Sequence, residues 1–340
     1  MADLEVRIVP EAVLIGRLRR EYILPAASPA RVDGLGGNLA YAAAAFASWG
    51  GKAGLVARVN SEFPLEWLLP LRELGFLTDG VHPVEEPLDL RRFVAYGETN
   101  KAYLDNPVTH FAERQLSFPK ELLGYQPRHE YCSKTDYESD SFRVTDMPRL
   151  FLEAKFAHVC PIDFISHKIL PSVLKAGMIQ CLTMRACSCY MDPIFWEEIR
   201  GLIADLTVFM MTETQALKLF QGRRVDLWEI AEHLAGYGPE VVLVQTKDGA
   251  TRLFDRMGHK RWILPAYSVR VSDPTGMNDA FDGGFLAGFK KTRDPLEAAL
   301  HGGISAAIAG EGSGPYFILD CLPGLKEMRL QVLRQQVIAA

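Results

Sequence analysis

Nowhere in its 340 residues does the chain stay apolar for the roughly 18 residues that a membrane-spanning helix requires. The N-terminal Met1-Ala2-Asp3-Leu4-Glu5 lacks the basic and apolar regions of a secretory signal. Lys and Arg form no dense run, and the formal net charge of −5 argues against a nucleic-acid-binding surface. Cysteine is sparse: Cys132, Cys160, Cys181, Cys187, Cys189 and Cys321 contain no C-x-x-C pair. Cys187-Ser188-Cys189 is their one cluster, and no histidine lies close in sequence to complete a zinc site. No internal repeat or low-complexity tract is present. These absences lead us to expect a cytoplasmic protein with buried reduced thiols, without membrane or nucleic-acid partners, and with no residue assigned to a metal.

What is present is ordinary globular composition, 48% hydrophobic and 23% charged, in a chain long enough for one large α/β domain with a small appendage. Val13–Gly16 reads as a short buried strand. Gly36-Gly37 opens a strongly helical run, Asn38–Ala47, which Gly50-Gly51 stops, and Gly54–Val59 follows as a strand. Pro64 starts another helix that Pro70 kinks or ends early. Strand, helix, strand at this spacing is a parallel βαβ unit. The second half repeats the alternation, with strands at Phe156–Cys160, Ile179–Met184, Leu206–Met211 and Val241–Gln245. Helices fall near His167–Ala176, Pro193–Ile203, Glu213–Phe220 and Leu227–Ala235, then after Asn278 and after Pro295. Together they describe a doubly wound α/β sheet. Between the halves, Arg91–Tyr96 and Lys101–Leu104 suit a solvent-facing antiparallel hairpin. Residues 124–147 read as an irregular or partly disordered insertion.

The richest segment is 273–285, Asp-Pro-Thr-Gly-Met-Asn-Asp-Ala-Phe-Asp-Gly-Gly-Phe. A glycine turn opens there into a helix with Asp279 in its first turn. Helix N-termini present unpaired N–H groups and a positive dipole end, so the turn is a ready anion site. An acid inside it suits a base that takes a hydroxyl proton while N–H groups steady a phosphoryl group; read structurally, Asp279 is a favourable N-terminal charge. Gly283, Gly284 and Gly288 each cost such a helix about 1 kcal/mol, which close packing around a ligand site would offset.

This segment resembles the C-terminal signature D-T-x-G-A-G-D-x-F of the ribokinase-like (PfkB-type) sugar and nucleoside kinases. Asp273, Gly276, Asp279 and Phe281 match in place and Thr275 supplies the threonine one position late, while Pro274, Met277 and Asn278 depart. The resemblance implies an anion hole from Gly276 and the backbone N–H groups of Met277 and Asn278, Asp279 as the catalytic base, and Asp273 as support for the turn. A side chain at 278, where the family has glycine, narrows the hole or strains the turn, although asparagine tolerates such angles better than most.

Further matches run in order along roughly residues 12–310. The family's first strand ends in a glycine with an acid five residues later that reads sugar hydroxyls; here these are Gly16 and Glu21. Gly36, Gly37 and Asn38 stand for its diglycine and asparagine, although that asparagine usually sits several residues further on, where this chain has alanine and tyrosine. The resemblance makes Glu21, Gly36, Gly37, Asn38 and Asp279 acceptor contacts. On residues alone, Glu21 is a surface charge and Asn38 a helix cap. Thr246, Lys247 and Gly249 fit the family's nucleotide turn loosely, joined there by Thr275 and Gly276; Lys247 also reads as a solvated turn lysine. Gly302, Gly303 and Ser305 lie where the family walls the adenine. The largest departure is at 209–216: Thr212 and Gln215 replace the asparagine and glutamate of a magnesium-linked N-x-x-E.

The implied fold is a single ribokinase-like α/β domain over 1–340, a doubly wound sheet flanked by helices. A small β lid comes from segments 17–33 and 88–105. The implied function is an ATP- and Mg²⁺-dependent kinase acting on a hydroxyl of a sugar, sugar derivative or nucleoside, with a homodimer formed through the lid. The alternative is a catalytically impaired relative that binds nucleotide or sugar as a sensor or regulatory subunit, motivated by Met277, Asn278, Thr212 and Gln215.

Overall fold

Short apolar runs separated by helices become the strands of two sheets. The computed structural model describes residues 8–128, 132–221 and 223–340, so the Met1–Glu5 reading and residues 129–131 of the 124–147 segment lie outside the described residues. In chain order the strands are β1 (Ala12–Ile15), β2 (Arg19–Leu24), β3 (Arg31–Gly36), β4 (Ala53–Asn60), β5 (Leu77–Val84), β6 (Arg91–Tyr96) and β7 (Ala102–Tyr103). The second half adds β8 (Phe156–Val159), β9 (Cys181–Arg185), β10 (Val208–Thr212), β11 (Val241–Gln245), β12 (Thr251–Asp255), β13 (Lys260–Leu264) and β14 (Ile338–Ala339).

The large sheet runs β14-β13-β12-β11-β10-β9-β8-β1-β4-β5. From β11 to β5 all neighbours are parallel; β12, β13 and β14 add an antiparallel edge. Its strands are apolar on both faces because helices cover both. In β1, Ala12 and Leu14 enter the core shared with the Asn38–Ser48, Met277–Thr292 and Pro295–Glu311 helices, while Val13 and Ile15 enter the opposite core. The strand order reverses between β1 and β8, and the carboxyl ends of strands at such a switch point are where open α/β sheets bind ligands. Asn38 spans that point. Its Oδ1 accepts from the Arg17 N–H (2.8 Å) and its Nδ2 donates to the Pro161 carbonyl (2.6 Å).

The small sheet runs β3-β2-β6-β7, with β2 and β6 parallel. β6 and β7 form the expected antiparallel pair, but β6 is not solvent-facing: Phe93, Val94, Ala95 and Tyr96 are buried. The Phe111 helix (Pro107–Glu113) and Leu122 cover Phe93, and two adjacent arginines had disguised a two-sided strand.

Residues 132–147 have little regular structure yet are tied down. Cys132, Phe142 and Met147 are buried in the core, and Asp140 holds Arg17, Arg19 and Arg128. The thiol expectation needs correction, because Cys132 and Cys189 form a disulfide. The two lie 57 residues apart and meet only because this segment packs under the loop after β9, which no local spacing signals. The sulfurs of Cys132, Cys187 and Cys189 all fall within 4.8 Å of one another.

Candidate active site

The turn predicted to bind an anion has the backbone for it. Gly276 sits in the left-handed region (φ 77°), and an added Cβ would lie 2.2 Å from the Tyr41 ring, so only glycine fits. Among the described residues no protein group accepts from the N–H of Gly276, Asn278 or Asp279; the Met277 N–H reaches the Pro274 carbonyl only at 3.4 Å. Neither Met277 nor Asn278 has a positive φ, so the side chain at 278 in place of glycine imposes no backbone strain. Both are already in the first helical turn. The Met277 side chain lies over Gly310, and Asn278 is exposed.

Asp273 braces the turn. Its Oδ1 accepts from the Thr275 N–H (2.9 Å) and its Oδ2 from the Ser313 hydroxyl (2.5 Å). The Thr275 hydroxyl donates to Tyr96 Oη (3.0 Å), which docks β6 on the turn. The helix glycines are compensated otherwise than the sequence suggested. A Cβ on Gly283 would lie 2.0 Å from the Ala42 carbonyl and one on Gly284 2.2 Å from Ser305 Oγ, so helix–helix packing requires them, not a ligand.

Asp279 is half-buried, and among the described residues nothing hydrogen-bonds its carboxylate. Burial and the nearby Asp282 push its pKa up to about 7, against the pull of Arg185 and Arg92. Asp282, one turn on, behaves oppositely. It is fully buried, but the Arg185 guanidinium grips both its oxygens and His158 stands 3.5 Å away, which together hold it below the usual carboxylate range despite burial. Two acids three residues apart are thus driven apart in protonation, the pattern of a working base beside a fixed charge.

The residues expected to contact an acceptor also meet, but mostly with each other. Glu21 is fully buried, and its carboxylate accepts from the Gly37 N–H (3.0 Å), Arg31 Nη2 (2.7 Å), Arg92 Nη1 (2.8 Å) and Tyr41 Oη (3.1 Å). Burial raises its pKa, and the two guanidiniums with the Gly37 N–H outweigh that and hold it below its ordinary value. Gly36 exists for this carboxylate: a Cβ there would lie 1.9 Å from Glu21 Cδ. Glu21 is therefore no surface charge, and Asn38 is no cap, since Gly37 takes the cap position.

In the turn expected to meet a nucleotide, the Thr246 hydroxyl donates to the Ala250 carbonyl (2.9 Å), and the Gly249 N–H donates to Thr246 O (2.9 Å) with φ 83°. The Lys247 N–H donates to Glu213 Oε2 (2.9 Å), so Glu213 braces this turn. Thr212 and Gln215 form a reciprocal capping box, and Gln215 Nε2 also donates to the Ala186 carbonyl (3.2 Å) and Ser188 Oγ (3.0 Å). Gly302 and Ser305 are buried in helix packing, with Ser305 Oγ accepting from Trp49 Nε1 (2.8 Å).

No family model matches the chain. A cytidine kinase of Thermococcus kodakarensis is 25% identical over 284 residues, 82% of this chain and 87% of that one. A fructokinase of Xylella fastidiosa, solved with bound ATP, superposes with a TM-score of 0.67 at 17% identity, covering 96% of this chain and 99% of its own. The chain has the fold of the ribokinase family. The nucleoside kinase of Methanocaldococcus jannaschii, an archaeal member of that family, gives a TM-score of 0.64 at 15% identity over 95% and 98%.

Within this ribokinase-like chain the sequence reading missed Arg31, Tyr41, Arg92, Arg185 and Asp282. Arg185 carried a usable signal, a lone charge closing the apolar strand Cys181–Arg185 at its carboxyl end. Arg92 did not, because Arg91 beside it made both look solvated.

Proposed function

We propose that the chain is an ATP-dependent phosphotransferase acting on a hydroxyl of a small polyol, a sugar, sugar derivative or nucleoside. One observation carries this reading: among the described residues the Asp279 carboxylate has no hydrogen-bond partner and stands beside open N–H groups at a left-handed glycine, where burial pushes its pKa up to about 7. Asp279 takes the hydroxyl proton as the oxygen attacks the terminal phosphorus. The new O–P bond forms, the bond to the ADP oxygen breaks, and the proton leaves Asp279 for solvent. The N–H groups of Gly276, Asn278 and Asp279 hold the charge on the transferred group. Thr246, Lys247 and Gly249 shape the nucleotide side, while Glu21, Gly36, Gly37 and Asn38 frame the acceptor side. The small sheet acts as a lid that excludes competing water.

Magnesium enters this proposal only as the ion accompanying ATP. Gln215 is uncharged and spent on its capping box, and Glu213 binds the Lys247 N–H, so this segment lacks a committed metal carboxylate. The nucleotide phosphates and water would hold the ion. The same observation favours the second reading, a binder with impaired transfer. A cytoplasmic setting suits ATP chemistry; the Cys132–Cys189 bond argues the other way, since disulfides persist mainly in oxidising compartments. Self-association would use the small sheet's rim, where Val32, Tyr103 and Leu104 are exposed, and sedimentation measures it.

The test is ADP release across sugars and nucleosides, paired with nucleotide calorimetry. Transfer that Asp279→Asn abolishes supports the kinase. Nucleotide binding with no transfer to any acceptor supports the binder, and neither binding nor transfer leaves the fold alone.

A further inference from the structure

The polar groups around Asp279 are unbalanced in kind. A neutral polyol needs partners that both donate and accept, because each hydroxyl does both. The Glu21 carboxylate has about four acceptor positions, and four protein donors fill them. Asn38 is likewise engaged at both ends of its amide. On this face the acceptors are taken.

Donors are not. Arg92 and Tyr96 lie four residues apart on β6 and so share one face of the strand. Tyr96 on that face touches the Gly276 turn through Thr275, which brings Arg92 to the same cleft. Among the described residues Arg92 makes one side-chain hydrogen bond, to Glu21, and its side chain is 40% exposed. A guanidinium has five N–H groups, so most of its fork is unspent within the protein. Glu21 brings one negative charge against the two positive charges of Arg31 and Arg92, so this three-residue cluster carries one net positive charge, with Asp279 close enough to act on Arg92. Planar forks of this kind match carboxylate and phosphate oxygens two at a time.

We propose that the acceptor carries an acid group, a carboxylate or phosphate, and that Arg92 is the residue that selects it. This rests on the phosphotransferase reading for the reaction but not for the binding. The anionic oxygens pair with the free edge of Arg92, which places a hydroxyl of the same molecule against Asp279.

Two assays separate the inference from the reaction. ADP release is measured with D-gluconate and D-ribonate as the carboxylate arm, ribose 5-phosphate as the phosphate arm, and D-glucose, D-ribose and cytidine as neutral controls. Calorimetry with the same probes reports binding without chemistry. An acid-bearing probe should be preferred over its neutral counterpart by at least about tenfold, the scale of a charged hydrogen bond. Arg92→Met should raise KM for that probe by a similar factor, spare kcat more than KM, and erase the preference. Arg92→Lys should restore part of it. Because Arg31 still neutralises Glu21, Arg92→Met keeps a paired carboxylate, and circular dichroism checks its fold. Acid binding lost in Arg92→Met with no transfer in any protein keeps this inference and sinks the kinase. Transfer to neutral acceptors with equal or greater efficiency, or a preference that Arg92→Met leaves intact, overturns the inference and keeps the kinase. Binding of no acid probe also overturns it.

Discussion

Replacing Asp279 by asparagine should make the protein more stable and less active at once, and pH should control both effects. The groups facing Asp279 are Asp282 on its own helix, Arg185 from β9, Arg92 from β6, Glu21 from β2 and Cys160 beyond β8. Their sum, dominated by burial, moves the carboxyl from 3.8 to about 7. A folded-state value raised above the unfolded one means that the native state binds the proton more tightly. Stability is then greatest below the unfolded value, falls as pH rises from about 4 to 7, and stays reduced above. Three pH units at about 1.4 kcal/mol each set a ceiling near 4 kcal/mol; solvent reaching a half-buried group lowers it, so about 1–2 kcal/mol is expected.

Urea unfolding of wild type and Asp279→Asn at pH 5 and pH 8 reads this directly. The variant should be more stable by about 1–2 kcal/mol at pH 8, with much of the gain gone at pH 5. In parallel, kcat should fall by at least about 10²-fold, the contribution of a general base. Wild-type kcat/KM should rise with pH through about 7 as the base form appears. A variant less stable than wild type at pH 8 would refute the claim that Asp279 is an uncompensated charge. Undiminished turnover would refute its role as base.

Glu21→Gln, which strands two guanidiniums, should cost about 3 kcal/mol in urea unfolding; a neutral effect would mean that Glu21 is not the buried hub described. Gln215→Glu restores the family charge but turns a carboxylate on the Ala186 carbonyl and forfeits two donated bonds. It should lower stability by about 1–3 kcal/mol without strengthening magnesium dependence of ADP release, and a gain in magnesium affinity would reverse that reading. Cys189→Ser should destabilise by about 2–4 kcal/mol, and reductant should lower wild-type stability to a similar degree while leaving the variant unmoved. Equal stability of both proteins without reductant would deny the Cys132–Cys189 link a structural role.

What could be read from sequence followed the range of the interaction. The β11 strand and the Leu227–Ala235 helix emerge with the boundaries their periodicity predicts, because alternation and helical spacing are local. The Gly276 turn was legible too, since its backbone demands fall within four residues. The β2–β3 hairpin was only partly visible: Arg19, Arg20 and Arg31 look solvated until their partners Asp140, Asp33 and Glu21 are known. Cys132 and Cys189 were unpairable for the same reason. Gln215 was assigned to a family position, but a family position does not say which way an amide turns. Its reciprocal bonds with Thr212 answer to the capping-box pattern T-x-x-Q, a signal present in the sequence and passed over in favour of the metal.

Three acids, Glu21, Asp279 and Asp282, meet three arginines at the switch point, and the pairing is unequal. Arg31 and Arg92 close on Glu21, and Arg185 closes on Asp282, each with direct hydrogen bonds. Among the described residues Asp279 receives none, although Arg92 and Arg185 both lie close enough to lower its pKa. A structure selected only for stability would share those guanidiniums more evenly, because an unpaired carboxylate in a desolvated place is costly. Instead Asp282 takes Arg185 in a two-oxygen grip and adds its own repulsion to Asp279. The energetic neglect of one acid out of three, at the carboxyl ends of the strands and beside unspent N–H groups, is what a base at neutral pH requires.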